Sequence, residues 1–208
     1  MYAFSLLSLP LTFMAVSVWK FRGGGASYRS FVRGLIFGIP VIFFWSLLRP
    51  LFAPRWGSFL LPLGFLLRYW LVPLGLSVGA YGLSAGFAGL TRGLDYERLV
   101  AFLFGSMTVV GIAQVVESWG VRDPAITLAI PSLVAASLLS VPYFIEEAVK
   151  DGMPYAVGHV AVIIGGLLAA SLAVSLFFFR LEWLGAIITI LFCAGSTLVG
   201  LKRLSRRR

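Results

Sequence analysis

Residues 156–179 read AVGHVAVIIGGLLAASLAVSLFFF, twenty-four positions without an Asp, Glu, Lys or Arg. As a helix this run is about 36 Å long, enough to cross the roughly 30 Å hydrocarbon core of a bilayer. A soluble domain would have to bury it on every side, and the rest of the chain offers no polar cover. Of 208 residues 60% are hydrophobic and only 12% charged, with mean hydropathy +0.97. Outward from this run, similar apolar stretches follow one another with short breaks. Residues 184–201 lie beyond a turn carrying Arg180 and Glu182. Residues 125–144 precede it across the polar stretch from Glu146 to Pro154. Before these come 99–116, 69–90, 34–48 and 2–19. The expected fold is all-α: a polytopic transmembrane helical bundle of about six or seven spans, forming one integral membrane domain over 1–208. Residues 2–19 read as a retained helix rather than a signal peptide, since no basic segment precedes them and no small-residue cleavage site follows.

Residues 49–70 interrupt the pattern. Arg49, Pro50, Pro54, Arg55, Gly57 and Pro62 break the helical run, the apolar piece from Phe59 to Leu67 is too short to span, and Arg68 follows. A re-entrant or interfacial segment is expected near 49–70. The next span is rich in glycine. Gly75 with Gly79, and Gly82 with Gly86, have the spacing that lets membrane helices approach closely. Lys20 to Arg33, with Gly23, Gly24 and Gly25 inside it, reads as a flexible basic loop.

The net charge of +9 belongs to topology rather than to nucleic acid. On a seven-span topology twelve of the seventeen basic residues fall on one side, among them Lys20, Arg22, Arg92, Arg98, Lys150 and the tail from Lys202 to Arg208. The other side takes Arg49, Arg55, Arg68, Arg122 and Arg180. The positive-inside rule then places the C-terminus in the cytoplasm and the N-terminus outside. An extra crossing within 58–90 would move the N-terminus across. The expected location is a bacterial cytoplasmic (inner) membrane. Tyr2, Trp19, Trp45, Trp56, Tyr69, Trp70, Trp119 and Trp183 read as an aromatic belt.

Little in the chain resembles a catalytic set. Cys193 is the only cysteine and His159 the only histidine, so a metal centre or bis-histidine haem is not expected, and no cofactor is. The Gly23–Gly25 run lacks the phosphate-binding loop pattern. Gly82-Leu83-Ser84-Ala85-Gly86 matches G-x-S-x-G, but within a membrane helix rather than on a strand-to-helix turn. An intramembrane serine protease could pair Ser84 with His159. Glu146 and Glu147 precede His159 but lack the further histidines of a metalloprotease. Arg49, Arg55, Arg68, Glu117, Arg122, Glu146, Glu147 and His159 are the candidates for binding a lipid, a substrate or a partner. A charge that proves deep in hydrocarbon is costly and functional, and arginines near one interface hold phosphate well.

The C-terminal half resembles the undecaprenyl pyrophosphate phosphatase family. Ile126-Thr127-Leu128-Ala129-Ile130-Pro131-Ser132-Leu133 looks like that family's F-L-L-A-I-P-A segment. Tyr155-Ala156-Val157-Gly158 looks like its A-V-G-F helix start, and Gly185-Ala186-Ile187-Ile188 falls where it has P-F-A-I-Y-R. Asp95-Tyr96-Glu97-Arg98 is similar to the loop before its second catalytic region. The family's P-G-x-S-R-S-G loop and its N-terminal E-x-x-x-E and S-S-x-G-H signatures are missing, so its phosphatase residues do not carry over. The resemblance implies a shortened scaffold without the reaction.

Three classes of function follow. The first is a non-catalytic membrane component: a subunit of a complex, a small transporter or a lipid-binding protein. Its partners would be membrane lipids, anionic or phosphorylated, with other membrane subunits or further copies of the chain. The second is a lipid-phosphate enzyme or its inactive relative. The third is the intramembrane serine protease.

Overall fold

The computed structural model describes residues 2–20, 24–52, 61–85, 95–117, 124–151 and 155–205. Seven helices run back and forth. They are α1 (Tyr2–Lys20), α2 (Gly24–Leu48, continued by a 3₁₀ turn Arg49–Phe52), α3, α4 (Tyr96–Glu117), α5 (Pro124–Asp151), α6 (Tyr155–Phe178) and α7 (Glu182–Ser205). Helix α3 is one rod in three pieces: Leu61–Phe65, a π-helical turn Leu66–Leu71, and Val72–Ala85. Six helical stretches are long and apolar enough to cross a membrane, and α1 adds a shorter apolar stretch, Leu7–Val18. The chain is a multi-pass integral membrane protein.

Helix α4 forms the centre. Leu99 to Thr108 are buried without interruption, which is why the sequence there shows no amphipathic stripe. Helices α1, α2, α3 and α5 surround it, while α6 and α7 pack on α5 and leave much of their surface to lipid. The outer faces are apolar: Ile36, Ile39 and Phe43 on α2, and Ile187, Ile190 and Leu198 on α7, are exposed. The interior holds small hydroxyls. Thr108, Ser137, Ser171 and Ser175 each donate to a carbonyl one turn back, at 2.7–2.9 Å. Ser77 and Ser106 join α3 to α4 at 2.8 Å. Tyr96, 1% exposed, donates to the Leu139 carbonyl at 2.7 Å and ties α4 to α5. In hydrocarbon such bonds replace the water that a soluble surface would supply.

The closest approach is between α2 and α4. A Cβ at Gly34 would overlap the Phe102 carbonyl oxygen and lie 3.0 Å from the Ser106 nitrogen. One at Gly105 would overlap the Phe31 carbonyl oxygen and lie 2.9 Å from the Leu35 nitrogen. At Gly38 it would meet the Val109 Cβ at 2.8 Å. Phe13 of α1 stacks on Phe31 beside this seam, ring centroids 4.2 Å apart.

Two helix starts differ from the sequence expectation. Helix α2 begins at Gly24, so Arg29 and Arg33 ride exposed on its first turns instead of lying in a loop. Its packing on α4 outweighs the poor helix propensity of its glycines. Helix α3 begins at Leu61 rather than near 69, so Arg68 lies inside a helix. Pro62 occupies its first turn, where the missing N–H is no loss. The proline with consequences is Pro73. Its ring crowds the carbonyl four residues back, and the widened turn Leu66–Leu71 stands directly before it. There the Val72 N–H bonds to the Leu67 carbonyl, five residues back.

The turn between α6 and α7 places Arg180 at φ 61°. The Arg180 N–H bonds to the Phe177 carbonyl at 3.0 Å and the Leu181 N–H to the Leu176 carbonyl at 2.9 Å, the pairing of a left-handed helix cap that favours glycine. Arg180→Gly is expected to stabilise the bundle by up to about 1 kcal/mol. Unfolding in mixed detergent micelles checks it, and a loss of stability contradicts it.

Candidate functional site

Because the helices alternate, the bundle has two ends. One carries the C-termini of α2 and α6 with the start of α3, where Phe65 and Phe178 meet with ring centroids 6.5 Å apart. The other carries the C-terminus of α5 with the start of α6, where Phe144 and His159 lie 6.2 Å apart. The sequence candidates divide between them. Arg68 belongs to the first end, and Glu146, Glu147 and His159 to the second. Arg49 and Glu117 are placed at the first end by their backbone alone. Arg55, Gly86 and Arg122 lie outside the described residues.

At the first end Arg68 sits within the π-helical turn. A π-helical turn shifts the hydrogen-bond register and leaves a backbone carbonyl needing another donor. The Arg68 carbonyl accepts one from outside the helix, the Trp45 indole N–H of α2, at 3.0 Å. Arg68 itself is half-buried, with its guanidinium carbon 5.6 Å from the centre of the Tyr69 ring. Tyr69 packs on Phe65 at 5.8 Å and on Trp70 at 6.1 Å, so Arg68 rises from an aromatic collar. Trp70 is fully enclosed, and its indole N–H has no partner among the described residues. Trp45, 1% exposed, and Trp70 are interior braces, which corrects their reading as members of an interfacial belt. Trp183, 86% exposed, has the position such a belt requires.

At the second end Glu146 is 2% exposed and bonds to Lys150 at 2.7 Å. Lys150 also reaches Glu147 at 3.6 Å. The four-residue spacing on the last turns of α5 puts the cation where the helix dipole favours it. No hydrogen bond joins Ser84 to His159 among the described residues: Ser84 donates to the Tyr81 carbonyl of its own helix at 2.9 Å, and His159 lies against Phe144 of α5. No three His, Cys, Asp or Glu side chains among the described residues form a group able to hold a metal ion.

The glycines singled out in the sequence behave differently from those of the seam. A Cβ at Gly75 or Gly79 would meet nothing within 4 Å, so neither makes a close helix contact among the described residues, and Gly82 is buried. The close approach uses Gly34, Gly38 and Gly105, which the sequence reading did not name. The Gly34–Gly38 spacing was the available signal. Trp45 was read only as a belt residue, and nothing in its local sequence points to a carbonyl twenty-three residues away. Compared with protein-family models, with curated proteins and with solved structures, the chain matches none.

Proposed function

We propose that this protein is a non-catalytic lipid-binding component of the membrane, holding an anionic headgroup at its Arg68 end. The observation that carries this reading is the placement of Arg68. It is a half-buried cation on a membrane-crossing rod, raised on a π-helical turn that Trp45 braces. A charged side chain in such a helix costs about 2.5–3.5 kcal/mol at mid-bilayer and less toward the interface, so it persists where it has a counter-charge or a task. A guanidinium presents paired donors that fit a phosphate. The distribution of basic residues supports an orientation with this end outside and the C-terminus in the cytoplasm.

Arg68→Ala is expected to lower the anionic phospholipid that copurifies in mild detergent by about fivefold, the equivalent of about 1 kcal/mol. Arg98→Ala, at the opposite end and paired with Asp95 at 3.1 Å, is expected to leave it unchanged. Equal lipid in wild type and Arg68→Ala contradicts the reading.

Descent from a polyprenyl pyrophosphate phosphatase scaffold is the second reading. It is favoured by α6 beginning at Tyr155, where the resembling segment begins a helix. On either reading the purified protein is expected to release no phosphate from polyprenyl pyrophosphate, because the arginine–serine loop is missing. Phosphate release abolished by a single substitution in this chain would refute that.

A further inference from the structure

A second feature lies at the opposite end and does not rest on the Arg68 reading. Helices α5, α6 and α7 leave a recess of about 240 Å³ between them, open on one side. Its walls include Ser140 and Phe144 of α5, Val162 and Gly166 of α6, and Gly195 and Ser196 of α7. These glycines do not serve close helix packing. A Cβ at Gly195 would meet nothing within 4 Å, and one at Gly166 only the Phe192 ring edge at 3.6 Å. They keep space open, in contrast to Gly34 and Gly105 in the α2–α4 seam.

An empty apolar void forfeits the dispersion contacts of its lining. In a bilayer the filler at hand is a hydrocarbon chain. One turn of helix, 10–12 Å across and 5.4 Å long, fills roughly 400 Å³ or more, beyond the volume of about 240 Å³ in this recess.

Each wall runs on, at helical spacing, to a polar residue nearer the membrane edge. On α5, Ser140, Phe144 and Glu147 share one face. On α6, Gly166 and Val162 lead to His159. On α7, Ser196 and Val199 lead to Lys202. The rim therefore carries both signs of charge, with Lys150 between Glu146 and Glu147. A purely anionic headgroup would face Glu147, whereas a headgroup with an ammonium and a phosphate finds a counterpart for each.

We propose that the α5–α6–α7 recess holds one acyl chain of a zwitterionic, ethanolamine-type phospholipid. Its ammonium lies toward Glu147 and its phosphate toward Lys202 and His159.

The test uses the full chain in bilayer discs of phosphatidylethanolamine and phosphatidylglycerol in equal parts. After transfer to mild detergent, retained lipid is counted by native mass spectrometry. Wild type is expected to retain phosphatidylethanolamine, and Gly195→Leu, which fills the recess, to lose it. Only the phosphatidylethanolamine count is compared, so anionic lipid held at the Arg68 end does not enter. Glu147→Gln, on a partly exposed side chain, is expected to lower the phosphatidylethanolamine count about fivefold, or about 1 kcal/mol. Equal phosphatidylethanolamine on wild type and Gly195→Leu overturns the proposal, as does a phosphatidylethanolamine count that Glu147→Gln leaves unmoved. Should Gly195→Leu fail to fold, the Glu147→Gln result decides alone.

Discussion

Gly105→Ala is expected to destabilise the bundle by about 3 kcal/mol or more, the upper range for forcing atoms into a packed core. The added methyl group would overlap the Phe31 carbonyl oxygen and stand 2.9 Å from the Leu35 nitrogen. Both neighbours are backbone, so no rotamer change relieves the contact, and α2 must move away from α4. That seam is the most extensive helix contact among the described residues, and α4 is the helix around which the others are arranged. Gly34→Ala meets the same obstacle from the other side, at the Phe102 carbonyl. Gly79→Ala is the control. Its Cβ meets nothing within 4 Å, and alanine is the better helix former by about 1 kcal/mol, so it is expected to be neutral or mildly stabilising. Unfolding of the purified proteins in mixed detergent micelles distinguishes them. Gly105→Ala unfolding with wild type would show that the seam is not as close as described.

Trp45→Ala is expected to cost about 3–5 kcal/mol, the range for removing a large buried aromatic side chain. Trp45 is 1% exposed, and its loss leaves a cavity beside the π-helical turn together with an uncapped Arg68 carbonyl. Trp45→Phe keeps most of the volume and removes the donor, so it isolates the hydrogen bond at about 1 kcal/mol. Both variants are expected to weaken retention of anionic lipid as well as stability, because the side chain of Arg68 is aimed by the turn that Trp45 holds. Stability lost with lipid retention intact would separate the brace from the site.

The helices were legible in the sequence because apolar runs of helix-crossing length, ended by Arg, Lys, Glu and Pro, have few other solutions in a bilayer. Their starts were less so. Gly24 and Leu61 open helices although glycine and proline nearby read as breakers, since packing on α4 and the tolerance of a first turn for Pro62 outweigh local propensity. The small-residue spacing at Gly75, Gly79, Gly82 and Gly86 drew attention to α3. Close packing also requires a matching gap on the opposing helix, and Gly105, which supplies it to Gly34, lies seventy-one positions away. Arg68 stood out as a charge among apolar residues. What raises it is a π-helical turn, hinted at by Pro73 alone, and a donor on another helix. Glu146 and Lys150 show the reverse case: their four-residue spacing on one helix was a local signal for the pair, and the sequence reading took Lys150 only as a topological charge.

The most direct test is a structure determined in bilayer discs containing anionic phospholipid, with the density around Arg68 as the readout. A headgroup phosphate is expected about 2.7–2.9 Å from the guanidinium nitrogens, with the Trp45–Arg68 bond retained. Arg68 turned into the protein against an acidic side chain of this chain, with no lipid density beside it, would contradict the proposed site.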